Sequence, residues 1–238
     1  MQRLETAKVD GPTKRRKLSV QLPTPPPSDR TVLEAGGLWK SFGALDVFTD
    51  IGFDVGRGER LLVLGLNGAG KTTLLRILAG RSEPDLGEVR FGPRTQTGYF
   101  AQEHDDIVAG RTVIDHLRES SPLGDTALRG LAGMFGLTGD KAFQDAASLS
   151  GGEKTKLALA QLVGGSHNLL LLDEPTNNLD PMSRSAVGEA LSGWAGTMVV
   201  VSHDVEFVRA LAPDRVVVMP EGQVDYFSDE MLDLVELA

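Results

Sequence analysis

The stretch RLLVLGLNGAGKTTLLRILAG, Arg60 to Gly80, holds a strand, a turn and a helix in succession. Arg60 to Gly65 is a continuous apolar run, the pattern of a parallel strand buried on both faces. Lys71 to Gly80 has helical spacing and closes on a glycine, the usual helix stop. Between them, Gly65 to Thr72 fits G-x-x-x-x-G-K-[ST] in the strand-to-helix setting that gives this pattern a mechanism. Gly65, Gly68 and Gly70 let the backbone turn tightly with its N–H groups aimed inward, which makes an anion cradle. Lys71 then reaches the β- and γ-phosphates of a nucleotide, and the Thr72 hydroxyl takes a Mg2+ ion.

A nucleoside triphosphate needs a carboxylate opposite that cradle, and LLLLDEP, Leu169 to Pro175, supplies one. Four leucines bury a strand, and Asp173 emerges at its C-terminal end, where open parallel sheets bind ligands. Asp173 suits Mg2+, largely through water. Glu174 follows, placed to polarise a water for in-line attack on the γ-phosphate. Its bland reading is an acid at a helix start.

A second cradle is less expected. LSGGEKTKLALA, Leu149 to Ala160, sets a serine and two glycines before a helical run. Free N–H groups at a helix N-terminus attract anions. One nucleotide does not need two such sites.

Outward from these motifs, strands alternate with helices. AGGLWKSF and VFTDIGFDV read as strands of a partly exposed sheet, and EVRFG and TGYFAQ as short strands. Thr112 to about Leu137 reads as helical, in the two stretches TVIDHLRES and DTALRGLAGMFGL. PMSRSAVGEALSGW is a helix with Pro181 in its first turn. TMVVVSH, a helix from Asp204, and RVVVM complete the alternation. This predicts an α/β fold with a mainly parallel sheet, helices on both faces and a separate helical lobe at about 103–165. LPTPPPSDR, Leu22 to Arg30, predicts an extended segment, which divides a basic, Pro-rich stub at 1–31 from a domain at 32–238.

The composition narrows the classes. With 238 residues, 41% of them hydrophobic, the chain can bury a full core, and having no cysteine it has no disulfide or cysteine-based metal site. Its four histidines show no metal spacing, and no apolar run nears the ~20 residues that span a bilayer. No secretory leader pattern is present, so the expectation is a cytoplasmic protein without stable membrane insertion. The net charge of −9 is uneven: residues 1–30 carry seven Lys/Arg against three Asp/Glu, leaving −13 on the remainder. An acidic body argues against wrapping nucleic acid, while KRRK (Lys14 to Lys17) leaves room for a local contact or is simply a solvated linker.

Together these motifs resemble the nucleotide-binding domain of the ATP-binding cassette (ABC) superfamily, from about Val32 to the end. The resemblance implies a P-loop NTPase fold of ABC type, with a small antiparallel β subdomain beside the parallel core and a helical lobe bearing the signature. It implies ATP contacts from Phe42, as the aromatic stacked on adenine, and from Gly65, Leu66, Asn67, Gly68, Ala69, Gly70, Lys71, Thr72 and Thr73. The bland reading of Phe42 is a core phenylalanine at a strand end. Glu174, His203 in VVVSHD and Gln102 after GYFA take catalytic positions, with Thr72, Gln102 and Asp173 around Mg2+ and Asp180 in the D-loop. In this superfamily the signature, here Leu149, Ser150, Gly151, Gly152 and Glu153, touches the ATP of a partner domain in a head-to-tail dimer. The second cradle thus implies a second cassette, in another copy or another chain.

LSGGEKTKLALAQLV and LLLLDEPTNNLD further resemble the ABC-F branch, whose members lack a membrane domain and carry two cassettes in one polypeptide. Many act on the ribosome during translation, and some confer antibiotic resistance. The resemblance therefore implies the ribosome and tRNA as partners. The chain is similar to the second cassette with the end of the interdomain linker, the first cassette and most of the linker being absent from it. Two other classes compete: the ATPase motor of an ABC membrane transporter, and an interaction module that binds ATP but hydrolyses it poorly for want of a first cassette.

Overall fold

The computed structural model describes residues 22–101 and 107–237. Two sheets share the chain. A three-stranded antiparallel sheet has the order β2-β1-β4, formed by β1 (Thr31–Phe42), β2 (Leu45–Gly56) and β4 (Leu86–Phe91). A six-stranded sheet has the order β5-β6-β7-β3-β8-β9, from β3 (Arg60–Leu64), β5 (Thr97–Phe100), β6 (Leu169–Asp173), β7 (Thr197–Val201), β8 (Arg215–Val218) and β9 (Gln223–Tyr226). Every pairing from β5 through β8 is parallel, and β9 closes the edge as an antiparallel hairpin partner of β8. This is the expected mixed α/β architecture, with the parallel-dominated core and the small antiparallel sheet.

The apolar runs follow from two-sided burial. Along β6, Leu169 and Leu171 pack into the cluster shared with α1 (Lys71–Leu78) and the antiparallel sheet. Leu170 and Leu172 point the other way, into the helical cluster. Along β3, Leu61 and Val63 join the α1 side, while Leu62 and Leu64 meet Val208, Val216 and Val235 in a third cluster. Alternate side chains thus serve opposite cores, so no polar residue interrupts either strand.

The helical cluster is built from α2 (Val113–Ser120), α3 (Asp125–Met134), α4 (Gly151–Gly164) and α5 (Pro181–Ser192). The two helical segments read from TVIDHLRES and DTALRGLAGMFGL appear as α2 and α3, with a break between them. Pro122 and Gly124 lie in that break, and Gly124 is the N-cap of α3. Thr112 opens α2 through a reciprocal capping box with Asp115. The chain continues through α6 (Val205–Leu211) and ends in α7 (Leu232–Leu237). Among the described residues no helix is long and apolar enough to cross a membrane.

The proline-rich segment lies against the domain. Leu22 packs on the helical cluster, Ser28 is buried, and the Asp29 carboxylate accepts from the Arg94 guanidinium at 2.9 Å. Asn168, buried at the start of β6, donates to the Arg94 and Pro27 carbonyls, fixing both sides of this contact.

Candidate functional site

The site lies at the C-terminal ends of β3, β6 and β7. β3 runs into the glycine turn, where Gly65, Gly68 and Gly70 have φ of 150°, 86° and 91°. Two of these glycines are also required by space. A Cβ on Gly65 would stand 2.6 Å from the Met219 carbonyl oxygen, and one on Gly70 would stand 2.5 Å from Val47 Cγ1 and 3.0 Å from the Phe48 ring. The cradle is therefore wedged between the end of β8 and strand β2. Sequence reading missed Val47 and Met219 as its buttresses, because their role comes from tertiary register and leaves no local signal.

Gly70 is the N-cap of α1, and Lys71 begins the helix with its ammonium donating to the Gly65 carbonyl and, at 3.3 Å, to the Leu66 carbonyl. Burial pushes the Lys71 pKa below its ordinary value, partly opposed by the carboxylates of Glu174 and Asp173. The Thr72 hydroxyl donates to Asp173 Oδ1 at 3.2 Å, joining the helix start to the end of β6. Asp173 is 6% exposed, and its burial raises its pKa. The neighbouring Glu174 charge raises it further, while the Thr72 hydrogen bond lowers it.

Glu174 takes φ of 50°, a left-handed conformation that side-chain-bearing residues adopt at a cost. Its amide donates to the Val201 carbonyl at 2.9 Å, so the turn is anchored to the end of β7. Its carboxylate Oε2 lies 2.9 Å from His203 Nδ1 and accepts from the His203 amide at 3.4 Å. Lys71, Thr72, Asp173, Glu174 and His203, far apart in sequence, thus converge on one sheet edge.

The other sequence-predicted residues fall around this cluster. Phe42 ends β1 and is 60% exposed, with the Lys40 ammonium 5.5 Å from its ring centre. Buried packing does not account for it. Leu66 is likewise exposed on the cradle, while Asn67, Ala69 and Thr73 complete the turn and the first helical residues. Asp180 caps α5, accepting from the Ser183 amide at 3.0 Å and from its hydroxyl, and these bonds hold its carboxyl below the usual range. Gln102 lies outside the described residues.

The second cradle has its own architecture. Leu149 is buried, and Ser150 caps α4 in a reciprocal box: the Glu153 amide donates to the Ser150 hydroxyl, and Glu153 Oε2 accepts from the Ser150 amide at 3.0 Å. The Lys141 ammonium donates to Glu153, and together these contacts lower the Glu153 pKa to about 2. At Gly151 an added Cβ would meet nothing within 4 Å, whereas at Gly152 it would stand 3.1 Å from the Asn178 carbonyl. The open flank of Gly151 contrasts with Gly152, where the loop preceding α5 leaves little room for a side chain.

A family model described as "ABC transporter" matches residues 48–177. The chain belongs to this family, and it is an ATP-binding cassette, a domain class whose chemistry is ATP hydrolysis. It is 36% identical over 235 residues to the probable ATP-binding protein YheS of Escherichia coli K12, covering 98% of this chain and 36% of that protein. A probable ATP-binding cassette sub-family F member 3 homolog of Encephalitozoon cuniculi is 36% identical over 208 residues, covering 87% of this chain and 37% of the relative. The chain thus spans little more than a third of these relatives, which agree with the ABC-F resemblance. Among solved structures, the dimeric structure of a bacterial ABC transporter cassette superposes with a TM-score of 0.69 at 19% identity. That match covers 82% of this chain and 99% of the other, and it shows the shared fold.

Proposed function

We propose that this chain is the ATP-hydrolysing cassette of an ABC-F type protein, working head to tail with a second cassette in ribosome-associated translation control or antibiotic resistance. The observation that carries the chemistry is the convergence of Lys71, Thr72, Asp173, Glu174 and His203 on one sheet edge. The pairing is supported by a solved cassette of this fold that is a dimer, and by the open flank of the signature at Gly151. The translation role rests on the sub-family F name of one relative and the likeness in motif wording.

The residues present fit ATP with Mg2+. The glycine cradle offers backbone donors, Lys71 offers a partly desolvated cation, and Thr72 and Asp173 offer the hard oxygens that Mg2+ prefers. When bound, Mg2+ neutralises charge developing on the phosphates. Phe42 stacks on the adenine ring, and Lys71 holds the β- and γ-phosphates. Glu174 accepts the proton of the attacking water, with His203 fixing the direction of its carboxylate. Ser150, Gly151 and Gly152 present their N-terminal donors to the γ-phosphate of the partner cassette.

Glu174→Gln preserves the shape of this base and removes its charge. ATP hydrolysis falls by at least ~10²-fold while ATP binding persists and a dimer accumulates. Hydrolysis near the parent rate refutes the assigned role. Ribosome pelleting with ATP, set against recovery in the membrane fraction, then decides between translation and a transporter motor.

A further inference from the structure

Two loops of the site lead directly into helices that pack on each other. The loop ending at Asp180 opens α5, and the loop carrying His203 opens α6, whose N-cap is Asp204. Gly188 of α5 allows the close approach: a Cβ there would stand 3.4 Å from Ala210 Cβ and 3.6 Å from the Phe207 ring on α6. One turn into α5, Arg184 faces back toward both loops. Its Nε donates to the Leu179 carbonyl at 3.0 Å, in the loop before α5. Its Nη1 lies 3.5 Å from Asp204 Oδ2.

Asp204 makes this contact consequential. Its side chain is 8% exposed, and its Oδ1 accepts from the Phe207 amide at 3.0 Å to cap α6. Its Oδ2 is buried without a hydrogen-bond partner, so the charge on that oxygen is answered by the Arg184 ion pair. A buried carboxylate that loses its cation is costly and moves to find another arrangement. Asp204 adjoins His203, which holds Glu174, and its amide donates to Ser202 Oγ at 3.2 Å. A shift of Asp204 is therefore passed to the residue that orients the base. At the other end, a Cβ on Gly152 of the signature helix would stand 3.1 Å from the Asn178 carbonyl, so the loop before α5 runs close beside the signature helix.

We propose that Arg184 is a positioning residue: by holding the Leu179 carbonyl and the Asp204 carboxylate at once, it ties the loop before α5 to the His203 loop and fixes the His203–Glu174 geometry for hydrolysis. This rests on the ATPase reading above, but the tie itself can be tested without turnover. Hydrogen exchange of the nucleotide-free chain should show faster exchange in Arg184→Met at amides 176–180 and again at 203–207, with β3 and β6 unchanged. Faster exchange in one loop alone, or in neither, overturns the tie. R184K keeps a cation beside Asp204 and should recover protection at 203–207 as well as part of the rate, which separates the tie from a general loss of fold.

In turnover, R184M lowers kcat about tenfold and leaves the ATP KM within about twofold, because Arg184 touches no nucleotide group. D204N keeps the α6 cap and removes the charge, so it lowers kcat similarly. The double variant falls no further than the worse single one, since both cut the same link. Additive losses, or a raised KM with unchanged kcat, overturn the proposal. If the parent chain hydrolyses no ATP at any concentration, the functional reading fails, and the exchange result alone decides whether the tie exists.

Discussion

Adding one methyl group at three glycines should produce three different outcomes. Gly70→Ala introduces a Cβ at φ of 91°, at 2.5 Å from Val47 Cγ1 and 3.0 Å from the Phe48 ring. The left-handed backbone costs ~1–2 kcal/mol, and forcing a methyl against packed side chains costs a further ~1–3 kcal/mol. The expected loss is therefore ~2–5 kcal/mol. Gly68→Ala has φ of 86° but meets nothing within 4 Å, so the backbone contribution of ~1–2 kcal/mol stands alone. Gly151→Ala meets nothing within 4 Å and has no positive φ. Reduced freedom of the unfolded chain stabilises it by ~0.4–1 kcal/mol. Urea unfolding followed by tryptophan fluorescence gives the order Gly151→Ala, parent, Gly68→Ala, Gly70→Ala in falling midpoint. With a slope of ~2–3 kcal/mol/M, Gly70→Ala loses about 1–2 M. If Gly70→Ala and Gly68→Ala unfold within ~0.5 kcal/mol of each other, the wedge of the cradle against β2 is not what fixes Gly70.

Phe42→Ala should weaken ATP binding about 5- to 100-fold, the range for loss of a stacked base, while melting moves little because the ring is 60% exposed. A large melting loss with unchanged affinity would return Phe42 to a packing role. Gly151→Asp puts a carboxylate on the open flank of the signature, so ATP binding to the single chain persists and ATP-driven dimerisation disappears on sedimentation; activity per chain that is full and independent of concentration would refute the partner role. Glu153 carries a folded pKa of about 2, below its unfolded value, so its stabilisation is complete above about pH 4.5 and is lost as pH falls toward 2. Lys141→Met removes the first cause of that shift and should flatten this acid limb in a pH series of melting temperatures.

The sequence disclosed the parallel core because two-sided burial leaves unbroken apolar runs, as in Leu169 to Leu172. It disclosed the cradle because φ above zero demands glycine at fixed spacing. β8 was legible in RVVVM, but β9 and α7 went unread: β9 is short and largely exposed, so it lacks the alternation that marks a strand. The break between α2 and α3 was legible, because Pro122 and Gly124 separate the helical spacing of TVIDHLRES from that of DTALRGLAGMFGL. In the site, residue types were legible and their buttresses were not. Nothing local in VFTD predicts that Val47 limits Gly70, nor does SRSAV predict that Arg184 meets Asp204. Such pairings exist once the sheet register is set.

The left-handed backbone at Glu174 has a consequence for how this protein can be improved. A glutamate held there gives up ~1 kcal/mol that glycine or asparagine would not. Replacing it with either relaxes the turn between β6 and α5 and removes the carboxylate beside His203. On the role proposed for Glu174, selection for heat tolerance alone, with no demand for turnover, would drift toward chains that are sturdier and inert. On that proposed role, the working chain sits below its own ceiling of robustness at the residue that takes the proton from water.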